Sequence, residues 1–119
     1  MTKAGALWLF FNSFGITAYP TEDVPDDAVF PWLTYELTLG AYGDTVSPTV
    51  ELWYYGESNV PVNTKAQEIS AYCRNGKFIE CDGGGILVRC GTWQALRDEA
   101  DDKIKRRRSV FTLDFFTTD

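Results

Sequence analysis

Hydrophobic and polar positions alternate most cleanly between Trp32 and Tyr55, in two consecutive segments. In the first, Leu33, Tyr35, Leu37 and Leu39 alternate with Thr34, Glu36 and Thr38; in the second, Val50, Leu52 and Tyr54 alternate with Glu51, Trp53 and Tyr55. A period of two sends successive side chains to opposite faces of a pleated strand, so each segment has one apolar and one mixed face. Between them Gly40 to Pro48 is rich in turn formers, which predicts an antiparallel hairpin with a long loop. Glu36 opposite Glu51 would set like charges face to face. A slip of two residues, with Glu36 opposite Trp53 and Leu37 opposite Leu52, avoids that and keeps the apolar face intact.

Elsewhere the period lengthens. Leu7, Phe10, Phe11 and Phe14 form one helical stripe, which predicts a helix over 3–14 with Gly15 as a left-handed cap. Trp8 and Leu9 lie off that stripe; packing under the following loop is the plain expectation, a partner surface the sharper one. Residues 16–31 carry Pro20, Pro25 and Pro31, which forbid a continuous helix, and their acids Glu22, Asp23, Asp26 and Asp27 show no ligand spacing. They read as a solvated loop. A second helix is expected from Thr64 to Arg74, capped by Asn63 or Thr64, with Ala66, Ile69 and Cys73 on its narrow apolar stripe.

Two short strands follow, 77–81 and 86–90, joined by Asp82-Gly83-Gly84-Gly85. That run lacks the spacing and lysine of a phosphate loop and precedes no helix, so it reads as a hairpin turn. Residues 93–105 look irregular, and a last strand over 107–117 places Phe111, Leu113 and Phe115 on one face. The order predicts a single α+β domain over 1–119, an antiparallel sheet of about five strands with two helices packed on it.

Composition narrows the chemistry. Aromatic residues reach 15% of the chain, more than one small core requires. A net charge of −6 argues against bulk nucleic-acid binding, which needs a positive footprint. No apolar run approaches the length of a membrane span, and Ala6 to Phe11 is too short for a secretory signal. Histidine is absent, and Cys73, Cys81 and Cys90 form no close pair, so buried thiols are expected rather than a disulfide scaffold or a zinc site. No carboxylate pair falls at a shared predicted site and no Ser or Cys has a base, which argues against an enzyme; no cofactor is expected. Charge is densest from Asp98 to Arg108, with Asp98, Glu99, Asp101 and Asp102 first and Lys103, Lys105, Arg106, Arg107 and Arg108 after. Such a run is a solvated loop, or else a two-signed interface in which an acidic half meets a neighbour's basic half.

Several phrases occur in one order: Phe14-Gly15-Ile16 with Ala18-Tyr19, Val24-Pro25, Phe30-Pro31-Trp32-Leu33-Thr34-Tyr35, Val50-Glu51-Leu52-Trp53, a helix, and a basic-led closing strand over 107–116. In that order the chain resembles the tail terminator (tail completion) proteins of long-tailed bacteriophages, over nearly its whole length. The Gly-rich second hairpin and the Arg cluster depart from that pattern. The resemblance implies a structural protein without catalytic residues. It would form a hexameric ring, cap the finished tail tube, stop its polymerisation and offer a surface for head–tail joining. Its partners would be copies of itself, the tube protein and a head–neck connector protein. It would sit at the virion's tail–neck junction after assembly in the host cytoplasm, with no membrane and no required nucleic-acid contact. Candidate contact residues are Asp101, Asp102, Lys105, Arg106, Arg107 and Arg108, with Tyr42, Asp44 and Trp53. The long loops, Ile16 to Pro31 and Gly40 to Pro48, are the expected docking parts, since the sheet faces are needed for the core and the helices. A head-closure (neck) protein and a small ligand-binding module are the alternatives.

Overall fold

A computed structural model describes residues 1–119. In chain order the elements are α1 (Lys3–Phe11), β1 (Thr17–Pro20), β2 (Trp32–Tyr35), β3 (Thr45–Val46), β4 (Thr49–Tyr55), α2 (Val60–Tyr72), β5 (Lys77–Cys81), β6 (Gly84–Arg89), β7 (Gln94–Arg97), β8 (Ile104–Val110) and β9 (Thr112–Thr117). The strands form two sheets rather than one: a five-stranded sheet ordered β1-β2-β4-β8-β7 and a four-stranded sheet ordered β3-β9-β6-β5. All pairings are antiparallel except β1 with β2, which run parallel. The α+β content is as expected; the single sheet and its uniform sense are not.

The expected final strand accounts for the second sheet. Its residues do extend, but the ladder breaks at Phe111, so β8 pairs in the five-stranded sheet and β9 in the other. Phe111 is fully buried at the break, near Phe11 (ring centroids 5.7 Å apart) and Trp93 (6.0 Å). Residues 93–105 are likewise more ordered than their charge implied, since β7 pairs with β8 from Gln94↔Arg108 to Arg97↔Lys105. A charged strand is stable here because it borrows its apolar support from the layers beside it.

The pairing of β2 with β4 is also a correction. Trp32 faces Trp53, Leu33 faces Leu52, Thr34 faces Glu51 and Tyr35 faces Val50. Leu33, Tyr35, Val50 and Leu52 do share one buried face, but Glu36 and Leu37 lie beyond the strand. The chain leaves the sheet after Tyr35, and the Glu36 carboxylate turns back to accept the Thr49 N–H. Alternation is indifferent to slips of an even number of residues. Here the choice is made by the opposite face, where the indoles of Trp32 and Trp53 lie 6.0 Å apart and Trp53 Nε1 donates to Thr34 Oγ1 at 3.1 Å. The segment beyond crosses to the second sheet as β3, and a Cβ at Gly40 would stand 2.6 Å from the Phe115 ring it passes.

Both helices cover the same side of the five-stranded sheet. Leu7, Phe10, Phe11 and Phe14 are buried as the stripe predicts, and Phe11 stacks on Tyr35 at 4.5 Å. The helix ends at Phe11, one 3₁₀ turn carries the chain over Asn12–Phe14, and Gly15 at φ 84° closes it. Trp8 and Leu9 do not pack under the next loop; they are 51% and 50% exposed. The second helix begins a turn earlier than expected, at Val60, because Pro61 in a first turn loses no hydrogen bond. Ser58 Oγ, not Asn63 or Thr64, receives the first amide, that of Val60. Val62, Ala66 and Ile69 are buried toward β4 and β8. One cluster of 18 buried residues draws on both helices and both sheets.

Asp82-Gly83 alone makes the second turn, while Gly84 and Gly85 belong to β6. A Cβ at Gly84 would lie 1.8 Å from the Phe116 carbonyl oxygen, so the glycine is required by the approach of β9. At the far edge of the other sheet Asn12 acts as a substitute strand. Its Oδ1 accepts the Ala18 N–H at 2.9 Å and its Nδ2 donates to the Ala18 carbonyl at 3.3 Å.

Candidate interaction surface

Because α1 and α2 lie on the Tyr35 side, the other face of the five-stranded sheet has no helix over it. Register builds that face in rows. Trp32, Trp53, Arg106 and Leu96 stand side by side across four strands, and Thr34, Glu51, Arg108 and Gln94 form the next row. Phe30, just before β2 and on a cis peptide to Pro31, packs on Trp32 at 4.3 Å and on Tyr55 at 5.5 Å. The Arg106 guanidinium sits 4.1 Å from the Trp53 ring centroid, and its Nη2 donates to Glu51 Oε1 and Oε2 at 3.1 and 3.2 Å. Glu51 and Trp53 are two apart on one strand, so one opposing arginine reaches both. Arg106 and Glu51 expose only 22% and 17% of their side chains, which makes this pair stronger than a typical surface bridge.

Arg107 points the other way. Its Nε donates to Asn63 Oδ1 at 3.0 Å and its Nη2 to Asn59 Oδ1 at 3.3 Å, fastening α2 to β8. Burial pulls its pKa below the ordinary arginine value. Together with Asn59, Arg97, Asp98, Asp102 and Lys105 it lines an open groove of about 310 Å³.

The sequence-derived contact residues thus fall in separate places. Trp53, Arg106 and Arg108 share the open face; Asp102, Lys105 and Arg107 share the groove behind it. Asp101 is a turn residue whose Oδ1 accepts the Lys103 amide at 2.9 Å. Tyr42 and Asp44 lie apart, in the loop that β3 anchors to β9. Tyr42 is 75% exposed, whereas Asp44 Oδ2 accepts the Ala41 N–H at 2.7 Å and shapes the turn. Sequence reasoning did not pick out Trp32, Glu51 and Leu96 as contact residues. The available signal was Glu51-x-Trp53 on the mixed face of a strand, which needs a cation opposite.

The thiols are poor nucleophiles. Burial pushes the Cys73 thiol up to about 12 and raises Cys90 despite hydrogen bonds from its neighbours, Ser70 first. Nowhere do three or more His, Cys, Asp or Glu side chains gather in a metal-holding group. What this face offers is stacking, charge and hydrogen bonding. No family model, no curated protein and no solved structure matches this chain.

Proposed function

We propose that the chain is a phage structural protein of the tail-terminator type. In this reading it caps the completed tail tube as a hexameric ring, ends tube polymerisation and supplies the surface to which the head is joined. One observation carries the reading. The phrases on which the resemblance rests, Phe30–Tyr35, Val50–Trp53 and the Arg-led closing strand, become the adjacent strands β2, β4 and β8. Together they place Phe30, Trp32, Trp53, Glu51 and Arg106, each partly exposed, on the sheet face that carries no helix. Aromatic and arginine side chains are the residue types that anchor protein interfaces. A cap must match the tube's end on one side without regenerating that end on the other, and a domain with one open sheet face and one helix-covered face has that asymmetry. Tyr42, 75% exposed on its anchored loop, is a further aromatic for docking.

Deleting the gene in its phage tests this. Tails of uncontrolled length without joined heads, beside normal heads in electron micrographs, are the expected result. Tails of normal length that merely lack heads would replace the terminator with a neck protein, and normal infectious particles would reject both.

A further inference from the structure

Each of the two sheets has two outer strands, and three of the four edges so formed are closed. At β1 the Asn12 amide holds both the N–H and the carbonyl of Ala18. At β5, α1 lies alongside and the Met1 carbonyl accepts the Asp82 N–H at 2.7 Å. β3 is two residues long, too short to serve as a template. The fourth edge, β7, is open. It bonds to β8 on one side, and no side chain or neighbouring segment bonds to the main chain of Gln94–Arg97 on the other. In an antiparallel pair alternate residues turn their N–H and C=O outward, so two of these four present bare groups. The usual guards of an edge are missing too: β7 has no proline, and its one charge, Arg97, stands at its end. Both ends of the strand are nonetheless fixed. Before it, Trp93 Nε1 donates to Ser70 Oγ on α2 at 3.0 Å; after it, Asp98 Oδ1 accepts the N–H groups of Ala100 and Asp101 at 2.9 and 3.2 Å.

We infer that β7 accepts an extended segment of a different protein as a sixth strand of this sheet. A bare strand edge specifies its occupant more closely than an apolar patch does, because only extended main chain matches its alternating donors and acceptors. The two flanking surfaces then set the side chains of that segment. Toward the helix-free face, Leu96 ends the row begun by Trp32, Trp53 and Arg106, so the residue beside it is apolar and lengthens the row by one strand. Toward the other face, Ala95 and Arg97 border the groove of about 310 Å³, lined further by Lys105, Arg107, Asp98 and Asp102, so the residues there are polar. A cleft of this size admits a few side chains rather than a domain. The segment therefore alternates apolar and polar positions. A second copy of this chain cannot supply it from β1 or β5, whose edges are already bonded, nor from the two residues of β3. This docking does not depend on the tail-terminator reading, since main-chain pairing asks only for an extended segment, whichever protein carries it.

A short end-blocked peptide alternating valine and glutamate is the probe, added to the isotope-labelled full chain and followed by NMR. The amide signals of Gln94–Arg97 should shift and saturate at millimolar peptide or below. The same peptide with every amide N-methylated keeps its side chains but cannot pair, and should bind at least roughly tenfold more weakly. Leu96→Glu sets a charge against the valine row and should weaken the unmodified peptide by a similar factor; if that variant does not fold, the methylated peptide alone decides. No shift at Gln94–Arg97 with millimolar peptide, shifts centred elsewhere, or equal binding of the methylated peptide would overturn the inference. So would slow, concentration-dependent hydrogen exchange of all these amides in the free protein, because a second copy would then already occupy the edge.

Discussion

β8 and β9 are one run of chain interrupted at Phe111, yet they meet opposite surroundings. In β9, Leu113, Phe115 and Thr117 are buried to 1% and Asp114 is held by Arg89 at 2.7 Å. In β8 only Ser109 is buried; Lys105 and Arg107 turn toward the groove and α2, while Arg106 and Arg108 turn to the open face. Both strands alternate with the same period. The period reports that two faces exist, and the neighbouring layer decides what each face meets. In this molecule β9 gives three buried side chains to the core and β8 only Ser109.

Phe111→Ala attacks the joint between the halves and should have the largest effect. Removing a fully buried aromatic side chain costs about 3–5 kcal/mol, a fall in melting temperature of roughly 10–20 °C. Urea unfolding measures it. A loss under about 1 kcal/mol would mean that the two sheets do not share a core at this point.

Within β8, Arg106 and Arg108 should separate. Arg106→Ala leaves Glu51 half-buried without its cation and uncovers the Trp53 ring, a loss of about 1–2 kcal/mol. Arg108→Ala, at an exposed site without an ion-pair partner, should stay within about 0.5 kcal/mol. Equal losses would break the contrast between a cation built into the sheet and one left free.

Another effect concerns the core side and appears only in base. Burial raises Cys73, Cys90, Tyr35 and Tyr54, so the folded chain keeps protons that the unfolded chain gives up. For Cys73 the ordinary value is 9.0 and the folded value about 12. Stability is therefore full below about pH 9 and declines from there toward about pH 12. At one pH unit above the start the decline is about 1 kcal/mol. Melting curves from pH 7 to 11 on wild type and Cys73→Ala should show the shallower slope in the variant.

Local features were legible where one residue type admits one conformation. The Leu7–Phe14 stripe, the Gly15 cap and the Asp82-Gly83 turn are of this kind. Features set by distant packing were not. Trp32 against Trp53 fixes a register that alternation leaves open, and Pro61 reads as a breaker although a first turn tolerates it. The break at Phe111 has no local signature, because the flanking residues extend equally well in one sheet or two. The candidate surface was half visible. Trp53 and the arginines stand out by type, but which of them point the same way depends on pairing with β4 and β7.

The Asn12 amide also governs what the β1 edge offers to other molecules. A β-sheet with two bare edges is a template at both ends, and growth of a fibre needs each newcomer to offer what it has just consumed. Here β7 has an unpaired outer side, while the middle of β1 is already bonded by a side chain of its own molecule. A stray extended peptide that lands on β7 finds hydrogen-bonding groups, but a second copy cannot hand over β1 as that peptide without first releasing Asn12. A side chain six residues from Ala18 thus blocks the β1 edge from zipping into amyloid-like stacks.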